Sequence, residues 1–98
     1  MTELKVTVRF FTILREIVGK SEEKFTLGAN DLTVGELLKF LEEKYGKPFR
    51  EYVYDWKGEV KSYLQFLVNG RSITTLQGME TKLKEGDTLA IIPPVGGG

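Results

Sequence analysis

The chain has no cysteine and no histidine among its 98 residues. Without them there are no disulfides, no thiolate nucleophile, no usual zinc ligands and no usual general base. The missing cysteines fit a reducing, cytoplasmic location. Excess charge of either sign is also absent: 14 Lys+Arg balance 14 Asp+Glu. A neutral chain exerts no general pull on a phosphate backbone, so nucleic acid is not an expected partner. No apolar run approaches the ~20 residues that cross a bilayer. The first residues, MTELKVTVRFF, alternate in polarity and do not form a signal peptide, so no membrane association is expected. There is no P-loop, no nucleophile beside a base and no metal-ligand spacing. No metal site, resident cofactor or side-chain catalytic centre is therefore expected.

What is present is enough for one small core. Apolar residues make up 41% of the chain and are spread along it, which suits a single domain. Leu4, Val6, Val8 and Phe10 alternate with Lys5, Thr7 and Arg9, the pattern of a half-buried strand. TILREIV at 12–18 reads as a short helix stopped by Gly19, and EEKFTL at 22–27 as a strand antiparallel to the first. GANDL is read as a loop. Thr33 and Glu36 fit a capping box at the start of the main helix. Val34, Leu37, Leu38, Leu41 and Tyr45 form its buried stripe, Glu42 to Lys44 lie on its wet side, and Gly46 and Pro48 are read as its end. Residues 49–62 read as a short helix and an irregular segment, with Tyr52, Tyr54 and Trp56 in a satellite aromatic cluster. YLQFLV at 63–68 is a strand, Asn69-Gly70 a hairpin turn, and 71–74 a short strand. A turn at Glu85–Asp87 leads to a last strand that Pro93 ends.

One long helix with several strands is most economically laid across one face of a mixed sheet. This predicts an α+β, ubiquitin-like β-grasp of about five strands, with the first and last long strands side by side at its centre. The competing ferredoxin-like sandwich needs two full-length helices. The expected division is a domain over 1–92 and a flexible Gly-Gly tail over 93–98.

That tail, Pro93, Pro94, Val95, Gly96, Gly97 and Gly98, reads as a chemical object. Two prolines favour an extended base. Val95 to Gly98 span at most about 14 Å, and glycines without Cβ can thread a narrow cleft. The product is a carboxylate on a thin stalk. A carboxylate is a poor acyl donor until adenylation supplies a leaving group; a sulfur nucleophile then leaves a thiocarboxylate, and an amine an amide. Both routes need a partner enzyme.

IIPPVGGG, preceded by KEGDTLA, resembles the C-terminus of the small subunit of molybdopterin synthase, in the ubiquitin-like sulfur carrier family of the MoaD/ThiS type. VRFFTILREIVG resembles that family's first strand and short helix, and LVNG its hairpin strand. The resemblance implies that Gly98 is adenylated and then thiocarboxylated. An E1-like adenylating enzyme would do this with ATP. The loaded tail would serve the large subunit of molybdopterin synthase, which would carry the catalytic side chains, in building the dithiolene of the molybdenum or tungsten cofactor. This chain would be a non-catalytic, sulfur-donating subunit. Gly96 departs from the family, where a small non-glycine residue is common. Other readings stay open: a ubiquitin-like protein modifier, a sulfur carrier for tRNA thiolation or thiamine, or an interaction domain with an inert tail.

Alternation also predicts a docking face. If Leu4 to Phe10 face the helix, then Phe11, Leu67 and Ile92 share the open face near the tail and bind the partner. Covering of that face by residues 49–62 is the competing reading. Lys82 and Lys84 are read as lying near the base of the tail, as candidate contacts for the activating enzyme.

Overall fold

The computed structural model describes residues 3–28 and 32–93. Strand β1 (Leu4–Phe10) is followed by helix α1 (Ile13–Val18), β2 (Glu22–Leu27), β3 (Leu32–Thr33), α2 (Val34–Tyr45) and α3 (Lys47–Val53). Then come β4 (Gln65–Val68), β5 (Arg71–Ser72), β6 (Lys82–Leu83) and β7 (Thr88–Ile92). The main sheet has the order β2-β1-β7-β4-β5, with β1 and β7 parallel at its centre and its other pairings antiparallel. The mixed sheet with α2 across it is the ubiquitin-like β-grasp. The sandwich alternative fails because α1 and α3 have only 6 and 7 residues.

Burial follows the sequence pattern. Val8, Leu37, Leu38, Leu41 and Ile91 are fully buried in a cluster that also takes Leu14 from α1 and Phe49 and Val53 from α3. The start of α2 is fixed by the reciprocal cap: the Glu36 N–H donates to Thr33 Oγ1 at 3.1 Å, and the Thr33 N–H donates to the Glu36 carboxylate at 3.0 Å. At its other end, Lys44 and the Tyr45 hydroxyl both donate to Glu23 of β2, which ties the helix to the sheet edge. The hairpin at Asn69-Gly70 has φ of 52° and 85°, as a two-residue turn requires. Asn69 also donates to the Asp87 carboxylate at 2.9 Å and accepts from the Thr88 N–H at 3.0 Å, clamping β7's start.

Several expectations need correction. Pro48 does not end α2; it lies in the first turn of α3, where a missing N–H costs nothing because that group would be unpaired anyway. The strand expected over 63–68 begins only at Gln65, since the Leu64 N–H turns back to Lys61 at 3.2 Å. The strand expected over 71–74 stops at Ser72, whose hydroxyl accepts from the Thr74 N–H at 3.2 Å and starts a 3-10 turn. Leu32, expected in a loop, pairs with Leu83 in a second, two-stranded sheet. Trp56 leaves the aromatic cluster: Tyr52 and Tyr54 pack on the core, but Trp56 is 89% exposed.

Thr33→Ala is expected to lower stability by about 1 kcal/mol through loss of the cap. Leu38→Ala should cost about 2–5 kcal/mol through its cavity. Urea unfolding of each variant checks both.

Candidate functional site

The parallel pair sets the geometry. Thr7, Val8, Arg9 and Phe10 lie beside Thr88, Leu89, Ala90 and Ile91. The chain therefore leaves β7 where β1 also ends. One set of alternating side chains faces α2, and the other set faces away.

On the face away from the helices, Arg9, Ala90 and Leu67 stand in one row across β1, β7 and β4. Ile92 lies opposite Gln65 in the next row, and Phe11 follows the Phe10–Ile91 pair into that row. Neighbouring strands lie ~4.8 Å apart, so Phe11, Leu67 and Ile92 form one patch. All three are half-buried. Residues 49–62 do not cover them: α3 packs on α1 and α2 and sends Phe49 and Val53 into the core on the opposite face, and Tyr54, Asp55, Gly58 and Lys61 line a hollow with Lys39 and Glu42 of α2.

Arg9 is a member of the patch that sequence reading assigned no role. Its guanidinium lies 5.4 Å from the centre of the Phe11 ring, a cation–π contact. Alternation places Arg9 on the open face, but the contact depends on how β1 ends. There the Leu14 N–H donates to the Phe11 carbonyl at 3.1 Å and the Thr12 hydroxyl to the same oxygen at 2.8 Å. Thr12 holds φ 50°, a strained value for a β-branched residue. The tight turn follows directly on Phe11, just past the end of β1, so the ring closes the patch.

Pro93 directly follows β7 and is buried. The remaining tail positions, Pro94, Val95, Gly96, Gly97 and Gly98, lie outside the described residues. Lys82 and Lys84 are not near the tail's base. They precede β7, and the Lys84 N–H donates to Asp87 at 2.8 Å at the start of that strand, whereas Pro93 stands at its far end.

No cluster of His, Cys, Asp or Glu among the described residues has metal-binding geometry. Among the described residues no helix is long and apolar enough to cross a membrane. Two tyrosines away from the patch are perturbed. Burial raises the Tyr54 hydroxyl above its ordinary pKa, and the nearby Glu42 carboxylate raises it further. Burial and Tyr63 do the same to Tyr52.

A β-grasp whose last strand ends beside an open apolar patch defines the architecture of a ubiquitin-like carrier. The chain belongs to the ThiS family, whose match spans residues 8–98. It is 38% identical over 95 residues to small archaeal modifier protein 3 of Haloferax volcanii, covering 97% of this chain and 100% of that one. It is 35% identical over 72 residues to a candidate sulfur carrier protein of Archaeoglobus fulgidus, covering 74% of this chain and 81% of that one. Among solved structures it resembles a candidate molybdopterin converting factor, subunit 1, of Pyrococcus furiosus. That likeness has a TM-score of 0.72 and 27% identity, over 94% of this chain and 99% of that one.

Tyr54 gives a test of the helix side. A raised pKa means that the folded state holds the phenolic proton more tightly than the unfolded chain. The stability this contributes is present below the unfolded pKa of about 10 and is lost as pH rises through the folded value. Denaturation between pH ~9 and ~11 should show falling stability, and Tyr54→Phe should flatten the decline.

Proposed function

We propose that this chain is a sulfur carrier that works through the main-chain carboxylate of Gly98. An E1-like partner transfers AMP from ATP to that carboxylate, releasing pyrophosphate. Attack of a sulfide equivalent at the acyl carbon then expels AMP and leaves a thiocarboxylate. The loaded tail serves as the small subunit of molybdopterin synthase, donating sulfur for the dithiolene inside a large subunit that carries the catalytic side chains. The observation that carries this reading is the family match, which runs through Gly98. The likeness to the Pyrococcus furiosus protein supports the molybdopterin assignment.

Geometry supports the division of labour. Nothing near the end of β7 supplies a histidine or cysteine, so activation falls to the partner. Phe11, Leu67 and Ile92 form the docking patch, and the partner's apolar surface covers them while the tail enters its cleft. Arg9 at the patch edge favours a partner with acidic groups at that rim.

A second reading has its own support. The relative of 38% identity is named as a modifier protein. Attack by a lysine amine on the same adenylate, in place of sulfide, gives an isopeptide bond. Both products need an unblocked Gly98.

Two outcomes are expected. Phe11→Asp, at a half-buried site, should leave thermal unfolding nearly unchanged yet weaken binding to the activating enzyme at least about tenfold, as loss of a central apolar anchor does. Calorimetric titration checks this, and equal affinity removes the patch from the interface. One alanine added after Gly98 should abolish thiocarboxylate formation, read as the intact mass of protein from the native host. Sulfur exchanged for oxygen at Gly98 supports the carrier. Lysine-linked conjugates without it support the modifier.

A further inference from the structure

On the side of β4 away from β7 the sheet is left short. β5 pairs with Leu67 and Val68, and the Ser72 hydroxyl then takes the Thr74 N–H at 3.2 Å and turns the chain aside. Among the described residues no strand continues along Gln65 and Phe66 on that side. A hollow of about 510 Å³ lies there, between residues 60–66 and residues 72–74. Leu64, Phe66, Ile73 and Met79 give it an apolar lining, and Ser62 adds a hydroxyl.

One charged side chain lines this hollow, Lys61. Its ammonium group donates to the Glu51 carbonyl at 2.8 Å and lies 5.8 and 5.9 Å from the centres of the Tyr52 and Tyr63 rings. That single main-chain bond leaves it two N–H donors. A neighbouring hollow shares Lys61, but its carboxylates are engaged elsewhere. Glu42 pairs with Arg50 at 3.7 Å and Glu51 with Lys47 at 3.8 Å. Asp55 accepts from the N–H groups of Lys57 and Glu59 at 2.8 and 3.0 Å. Glu36 and Glu80 line a third hollow, together with Lys39, and not this one. The apolar hollow therefore offers one half-buried cation to an anion.

The chain's own tail fits this site in reach, shape and charge. Ile92 lies opposite Gln65, so Pro93 comes level with Leu64, a wall of the hollow one strand away. Val95 to Gly98 span up to about 14 Å, and crossing two strand spacings takes ~10 Å. Val95 is the tail's one branched apolar side chain. The glycines bring bare main-chain donors and acceptors to the edge of β4, as an added strand does. The Gly98 carboxylate is the tail's one charge, and it is negative.

We propose that in the free protein the tail is parked here, with Val95 in the hollow and the Gly98 carboxylate accepting from the Lys61 ammonium group. The proposal takes from the carrier reading only the free Gly98 carboxylate. A parked tail is withdrawn from any partner's cleft, so partner binding is weakened in proportion to the fraction parked.

Nuclear magnetic resonance of the isotope-labelled full chain tests this without a partner. The Val95 methyl protons should show nuclear Overhauser contacts to Phe66 or Met79. The Gly97 and Gly98 amide signals should stand apart from those of a free PPVGGG peptide. Lys61→Glu should remove the contacts and bring both glycine signals to the peptide values. Val95→Asp, which alters no residue of the body, should do the same to the glycine signals. Lys61→Glu should also bind the activating enzyme at least about twofold more tightly, because a tail parked half the time or more halves the competent fraction. Peptide-like glycine signals in the parent chain overturn the proposal. So does a Lys61→Glu chain that keeps the Val95 contacts, or one whose affinity is unchanged. A missing thiocarboxylate in the intact mass counts against the carrier reading and not against these contacts, which the unloaded chain makes by itself.

Discussion

The parallel contact between β1 and β7 is the constraint on which the rest depends. Parallel neighbours cannot be joined by a hairpin, so everything from α1 to β6 is one long connection that must pack against the sheet they form. The pairing joins residues 7–10 to residues 88–91, nearly the full length of the chain. Its loop-closure cost is met by the apolar stripe that the two strands present together: Val8, Phe10, Leu89 and Ile91 are all buried under the helices. The centre of the sheet therefore forms only when both ends of the domain have met, a topology that favours late, cooperative closure.

The same pairing divides the molecule into two surfaces with different duties. Toward α2 the side chains are apolar and dry. Away from it they are mixed, with Lys5, Thr7 and Arg9 beside Thr88, Ala90 and Ile92. A sheet with one solvated face is common among antiparallel pairs and rarer at a parallel pair. Here the open side gathers its apolar residues at one end, where both central strands finish. The far end is occupied by polar stitching: the Gly86 N–H donates to the Lys5 carbonyl at 2.7 Å, and the Lys5 N–H donates to Glu85 at 3.0 Å. That end is consumed by holding β1 to the turn before β7.

Features with a period were legible from sequence, and so were features with a dedicated residue pair. Alternation gave β1 and β2, the 3.6-residue stripe gave α2, the Thr33–Glu36 box gave its start, and Asn69-Gly70 gave the hairpin. Two-residue strands have no period, so the β3–β6 pair was invisible. Pro48 carried an ambiguous sign, because proline stops one helix and opens the next equally well. The strand after the hairpin was overrun because Ser72 offers its hydroxyl to the backbone, a local competition that pattern reading does not weigh. Lys84 was misplaced for a simpler reason: nearness in sequence to the tail is undone by the length of β7. Trp56 was grouped with its aromatic neighbours on composition, yet the loop that Asp55 organises turns it outward.

The burial of Pro93 fixes one end of a ruler. The five residues from Pro94 to Gly98 span no more than about 18 Å at ~3.6 Å each. On the proposed carrier reading, an enzyme that grips the open face must keep its reactive centre within that radius of the last strand. Such a domain would select among chambers by depth as well as by fit.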